Sequence, residues 1–225
     1  HLETMVDILS DVFLNSVFDE KEVENERAVI LQEIGMAEDN PDEYIHILSG
    51  MNFWGKHSLG RSVLGSRENI KSFNSDSIKK FFYRFYQPER IVVSAAGNLD
   101  HNHFLDIAGP IFESIQPGND FSERMTPDEH CKVNIHYKDL GQVHVCLGTK
   151  GMSITDPRRY TFSLMNTILG GNMSSRLFQE VREKRGLAYS VYSYASSFVD
   201  TGMFGAYAGV APKNIQTSVQ LILKE

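Results

Sequence analysis

The chain has 225 residues, of which 41% are hydrophobic and 23% are charged, as in an ordinary globular protein. Its formal net charge of −7 disfavours nucleic acid as a partner, and the sequence contains no apolar run long enough for a membrane span. The N-terminal stretch carries acids where a secretory signal peptide needs basic residues. The compartment stays open, and the lack of a visible signal peptide favours the cytoplasm or an organellar matrix.

Helical periodicity dominates the first half of the chain. Apolar residues at helical spacing predict helices over residues 2–17, 19–40, 42–54, 75–86 and 102–114. Pro41 separates the second helix from the third. The stretch RIVVSAAGNLD, residues 90–100, predicts a strand closed by a Gly-Asn turn.

A polar stretch with two prolines, residues 117–131, is the best candidate for a linker. It predicts a domain over 1–116 and another over 132–225. The second half predicts strands over 132–138, 142–149, 188–198 and 202–210, and helices from about 155 to 170, from 174 to 185 and after Pro212. This mixture predicts an α+β fold with helices packed on small, mostly antiparallel sheets.

Two cysteines, Cys131 and Cys146, fit no CxxC metal or redox pattern. Their spacing favours unreactive thiols in a reducing compartment, with a disulfide as the alternative.

Acidic residues interrupt the apolar face of the second helix. Glu26 and Glu33 fall in the same stripe as Val23, Ile30 and Ala37, about 10 Å apart along the helix axis. A carboxylate in apolar surroundings costs several kcal/mol unless it is paired, protonated or bound to metal. Three interpretations fit the pattern: a solvated or basically paired helix edge, a metal site, or acid–base chemistry without metal. No HExxH or HxxEH motif occurs in the chain to choose between them.

Four segments in order resemble the pitrilysin, insulinase and mitochondrial processing peptidase family of zinc metallopeptidases, the inverzincins. These are ENERAVILQEIGMAEDNPDE, GKHSLGRSVLGSRENI, FYRFYQPERIVVSAAGNLD and LGGNMSSRLFQEVREKRGLAYSVYS with the following DTGMFGAYAG. The resemblance is greatest to the bacterial and organellar processing-protease branch. It implies that the chain carries the latter part of a zinc-side domain and the opening part of a substrate-side domain.

In such enzymes an HxxEH helix supplies two histidine ligands and the catalytic glutamate, and a later helix of the form E-x6-E supplies the third zinc ligand. The resemblance therefore assigns Glu33 to zinc and Glu26 to an auxiliary role beside it. The HxxEH segment would lie before residue 1, so we expect a fragment that binds no zinc alone and is inactive alone. We also expect unpaired apolar surfaces that favour self-association or a partner subunit.

The element REKRGLAY matches the family's R-x6-Y pattern, which gives Arg182 and Tyr189. The resemblance implies that these residues hold substrate backbone and stabilise the tetrahedral oxyanion. The expected function is part of a zinc-dependent metalloendopeptidase that cleaves extended peptides or unfolded proteins. The alternative is a non-catalytic scaffold or peptide-binding subunit of the same fold.

Overall fold

The computed structural model describes residues 1–118, 125–130 and 132–225. Its α-helices are α1 (Leu2–Leu14), α2 (Glu20–Asp39), α3 (Pro41–Trp54), α4 (Arg67–Ser72), α5 (Ser75–Phe85), α6 (His101–Phe112), α7 (Arg159–Gly170) and α8 (Ile215–Lys224). Its strands are β1 (Val143–Lys150), β2 (Ala188–Ser197) and β3 (Gly202–Val210), and a π-helix spans Phe178–Glu183. The predicted α+β class is confirmed. None of the described helices combines the length and apolar character that crossing a membrane requires.

The chain divides into two compact units, His1–Gln32 with Ser66–Arg124, and Glu33–Gly65 with Met125–Glu225. The predicted linker at 117–131 stays a prediction, and its residues 119–124 and 131 lie outside the described residues. The first unit is helical and is held together by aromatic rings. The ring of Phe13 from α1 lies 5.8 Å from that of Phe82 in α5 and 6.0 Å from that of Phe112 in α6. Tilted ring pairs at this spacing add to the burial of apolar area.

A three-stranded antiparallel sheet in the order β1-β3-β2 forms the centre of the second unit. Val143 pairs with Val210, and Tyr192 pairs with Tyr207. Because side chains alternate along a strand, the two sheet faces carry different residues. One face packs into a core with the segment after α7 and with α8: Leu177, Val181, Ala188, Val191, Ala206, Ala208, Val210 and Ile222. The other face receives α3, whose Phe53 and Trp54 pack with Met203.

Two predicted strands are absent. Residues 90–100 and 132–138 join no ladder in the described chain. Both have β-type composition, and in the second the apolar side chains of Val133, Ile135 and Tyr137 are exposed. A strand requires a hydrogen-bonded neighbour, which alternation alone does not supply. These two predictions are therefore wrong for this structure, whereas the strands at 142–149, 188–198 and 202–210 are confirmed as β1, β2 and β3.

A part-buried polar cluster joins α3 to the sheet. His46 Nε2 lies 2.7 Å from Tyr192 Oη, and His46 Nδ1 lies 4.0 Å from Cys146 Sγ. Cys146 is a free thiol whose pKa is raised by burial to about 11, so it stays protonated and unreactive at neutral pH. The other cysteine, Cys131, lies outside the described residues.

Protonation of His46 is expected to weaken the fold at mildly acidic pH. Burial against the sheet lowers the pKa of His46 below its ordinary value, and the nearby Asp42 only partly offsets this. The unfolded chain then binds the proton more readily, so stability is lost as pH falls below about 6.5. The groups that face His46 are Asp42, Cys146, Tyr192, Tyr194 and Tyr207. Between pH 7.5 and 5.5 we expect wild-type Tm to fall about 1–3 °C more than that of a His46→Gln variant. An equal fall in Tm for the wild type and His46→Gln over this pH range would contradict this prediction.

Candidate active-site elements

The two predicted acids lie on the same helix, α2, two turns apart. Ile34 and Ala37 are the buried residues of α2, and Glu26 and Glu33 border that buried face at about 50–70° from its centre. Both carboxylates are exposed. In this chain the edge of the apolar face is solvated, and the carboxylates are open to any group that approaches this side of α2.

Glu26 lines an apolar cavity of about 260 Å³ in the first unit. The cavity is bounded by Phe18, Asp19, Glu22, Val23, Glu26, Arg27, Ile30, Ile70, Phe73 and Ile78. Arg27 is turned toward Glu24 and the backbone oxygen of Phe73, with both contacts at 2.5 Å. Arg27, which follows Glu26 in the chain, therefore already has partners, and Glu26 is an exposed carboxylate at the wall of this cavity.

The metal that the resemblance implies does not fit the residues of this chain alone. Within residues 1–118, 125–130 and 132–225, no group of three or more His, Cys, Asp or Glu side chains is close enough to hold an ion. Protein zinc sites take three or four protein ligands, and Glu33 supplies one carboxylate. Glu33 alone is therefore too few ligands to hold a zinc ion.

The π-helix and the turn that follows it position Arg182. Leu177 and Val181 are fully buried and fix this segment against the sheet. Gly186 has a φ of +58°, and its N–H bonds to the Arg182 carbonyl oxygen at 2.8 Å, which ends the helix and turns the chain into β2. Single-turn π-helices occur frequently at functional sites.

The structure brings Arg182 and Tyr189 into contact. The Arg182 guanidinium carbon lies 4.8 Å from the centre of the Tyr189 ring, within cation–π range. Both residues line a cleft of about 430 Å³ in the second unit, together with Gln142, Glu183, Gly186, Leu187, Ala188, Gly209, Ala211 and Asn214. In the described chain, no hydrogen bond or ion pair joins Glu33 to this pair.

Among the described residues that line the cleft, Arg182 is the one cation. Hydrogen bonds from Lys184 and then Arg185 lower the pKa of Glu180 to about 2, so those cations already have a partner. Within the described residues, the ion-pair partner of Arg182 is the carboxylate of Glu183, at 3.8 Å from its Nε. This separation exceeds a hydrogen bond, so the N–H groups of Arg182 can bind a carbonyl or an oxyanion in the cleft.

Sequence reasoning missed other residues of the cleft. Gln142 and Asn214 add amide groups, and Glu183 adds a carboxylate next to Arg182. Phe178 also contacts the guanidinium, with its ring centroid 4.8 Å from the central carbon. The four-residue spacing of Phe178 and Arg182 on a predicted helix was the signal that could have indicated this contact. Gln142 and Asn214 carry no comparable signal, because the tertiary fold alone brings them there.

Comparison with known proteins places these elements in a family. Residues 72–225 match the family profile described as "Peptidase M16 inactive domain", and residues 1–67 match the profile of insulinase, peptidase family M16. The chain is 41% identical over 216 residues to the uncharacterized zinc protease YmxG of Bacillus subtilis, covering 96% of the chain and 53% of the relative. It is 40% identical to the uncharacterized zinc protease SCO5738 of Streptomyces coelicolor, covering 100% of the chain and 50% of the relative.

Solved structures show the same fold. The "peptidase M16 inactive domain" from Pseudomonas fluorescens superposes with a TM-score of 0.89 at 23% identity, covering 98% of this chain and 54% of that one. A protease from Helicobacter pylori superposes with a TM-score of 0.85 at 20% identity, covering 99% of this chain and 56% of that one. The chain thus spans about half the length of these relatives. With family profiles matching residues 1–67 and 72–225, the chain belongs to peptidase family M16.

Proposed function

We propose that the chain is part of a zinc-dependent metalloendopeptidase that cleaves extended peptides or unfolded proteins. The observation that carries the proposal is the contact of Arg182 with Tyr189 in a cleft, within a chain whose relatives are named zinc proteases. A guanidinium with unengaged N–H groups and a phenol hydroxyl suit peptide carbonyls and the negative charge that develops on them during hydrolysis. A peptide held through its backbone is recognised by its extended shape more than by its sequence.

Glu33 is proposed to be one carboxylate ligand of the zinc, and Glu26 an auxiliary acid beside it. Both are exposed at the edge of the buried face of α2, so a helix carrying further ligands can approach them. The histidine ligands would come from an HxxEH segment, which these 225 residues do not contain. This chain by itself is therefore proposed to be inactive.

A peptidase assay on the full-length protein tests the proposal. An unstructured peptide is incubated with the protein, with and without a chelator, and the zinc content is measured by mass spectrometry. We expect cleavage that the chelator abolishes and that zinc restores. A full-length protein that binds no zinc and cleaves nothing would overturn the proposal.

A non-catalytic scaffold or peptide-binding subunit is the second candidate. It is favoured by the description of the profile that matches residues 72–225 as an inactive domain. The Arg182–Tyr189 cleft serves peptide binding in either role. Peptide binding by a full-length protein that holds no zinc would establish this function instead.

Apolar side chains exposed on α1 support a proposal of self-association. Met5, Ile8, Leu9 and Val12 are 47%, 56%, 62% and 64% exposed and follow helical spacing. Such a row favours burial against a second copy. Light scattering over a concentration series is expected to give a mass near twice the 25.5 kDa of the chain. A monodisperse monomer at every concentration would contradict the proposed self-association.

A further inference from the structure

The Arg182 guanidinium contacts two aromatic rings. Its central carbon lies 4.8 Å from the centroid of Phe178 and 4.8 Å from the centroid of Tyr189. The two rings come from different elements, the π-helix and β2. Stacking on a ring orients the plane of a guanidinium without using its N–H donors.

The two rings are not equally anchored. Tyr189 is 75% exposed, so its ring has few neighbours to fix it. Phe178 is half-buried and follows Leu177, which is fully buried in the core. Phe178 is therefore the firmer of the two supports for Arg182.

Side-chain hydrogen bonds do not hold Arg182 in the described part of the chain. Its nearest carboxylate oxygen, from Glu183, is 3.8 Å from Nε. The neighbouring Arg185, in contrast, bonds both to the carboxylate and to the backbone oxygen of Glu180. Arg182 thus depends on ring contacts for its orientation and keeps its donors available to the cleft.

We infer that Phe178 is a positioning residue that fixes the Arg182 guanidinium so that its N–H groups face the cleft. The inference deepens the proposed function and rests on the proposed role of Arg182 in binding the peptide backbone. Phe178 itself need not touch the substrate. Its contribution is an orientation that an aromatic ring provides and an aliphatic side chain of similar size does not.

Three variants of the full-length protein test this: Phe178→Leu, Phe178→Tyr and Phe178→Trp. Removing an exposed cation–π contact is expected to lower kcat/KM of Phe178→Leu by about twofold to fivefold, and the aromatic variants are expected to stay within about twofold of wild type. The matched control is Phe162→Leu, which removes a ring of the same unit that packs on Phe204, 5.4 Å away. The control is expected to keep wild-type kcat/KM. Equal losses in the leucine and aromatic variants, or no loss in any, would overturn the inference.

A spectroscopic measurement separates this inference from the proposed function. In protein labelled with ¹⁵N-arginine, ring currents from two rings are expected to shift the Arg182 Nε–H proton resonance, which is assigned with Arg182→Lys. Phe178→Leu should return the resonance toward the position of an exposed arginine, while Phe162→Leu should leave it in place. An unchanged resonance in Phe178→Leu would refute the positioning role whether or not the protein cleaves peptides. If Phe178→Leu moves the Arg182 resonance but the wild-type protein cleaves no peptide, the positioning role of Phe178 is supported and the proposed function is refuted.

Discussion

Changing Glu33 to glutamine in the full-length protein is expected to remove bound zinc and to lower peptide cleavage by at least about 100-fold. Loss of a residue that only supports a metal ligand costs about 10–100-fold, and loss of a ligand is expected to cost no less. The amide has nearly the shape of the carboxylate but lacks its charge. Zinc content by mass spectrometry and kcat/KM on an unstructured peptide are the two measurements.

The exposed position of Glu33 makes this a test of function more than of stability. Substitution of an exposed side chain usually changes the free energy of unfolding by less than about 0.5 kcal/mol, so Tm measured in chelator should stay near that of wild type. Glu24→Gln is the matched control, because Glu24 is an exposed acid of the same helix whose partner is Arg27. A Glu33→Gln variant that keeps zinc and activity would show that the ligand lies elsewhere.

Local sequence patterns identified most of the helices and the ordered hairpin. The apolar spacing and Pro41 correctly separate α2 from α3, and the DTG turn correctly joins β2 to β3. The predictions of strands at 90–100 and 132–138 were wrong because a strand also depends on a partner strand, which local composition cannot reveal. The predicted helix at 174–185 includes a π-helix, and the same spacing of Leu177 and Val181 suits either form.

The candidate site could be predicted in part. The R-x6-Y pattern identified Arg182 and Tyr189, and the structure places them in contact. The pattern did not predict the second ring on Arg182, and the sequence left open whether Glu33 is solvated, paired or bound to metal. Both depend on tertiary packing: on how the π-helix is held against the sheet, and on which surfaces cover the edge of α2.

Replacing Arg182 with glutamine is expected to lower kcat by about 100-fold, with a smaller rise in KM. Removing one donor that stabilises a developing oxyanion costs about 10²–10³ in kcat. Glutamine keeps hydrogen-bonding capacity but loses the charge and the forked donor geometry of the guanidinium. Tyr189→Phe tests the contribution of the Tyr189 hydroxyl separately, because it removes only that hydroxyl and keeps the ring that contacts Arg182.

Arg185→Gln is the control for Arg182→Gln, because Arg185 is three residues away and bonds to Glu180. The Arg182 side chain is 35% exposed and has no close ion pair in the described chain, so its loss should leave the urea midpoint nearly unchanged. A direct role for Arg182 in the reaction therefore requires a large fall in kcat without a change in stability. If Arg182→Gln behaves like Arg185→Gln in steady-state kinetics, the cleft is not where charge develops, and the contact between Arg182 and Tyr189 serves the fold alone.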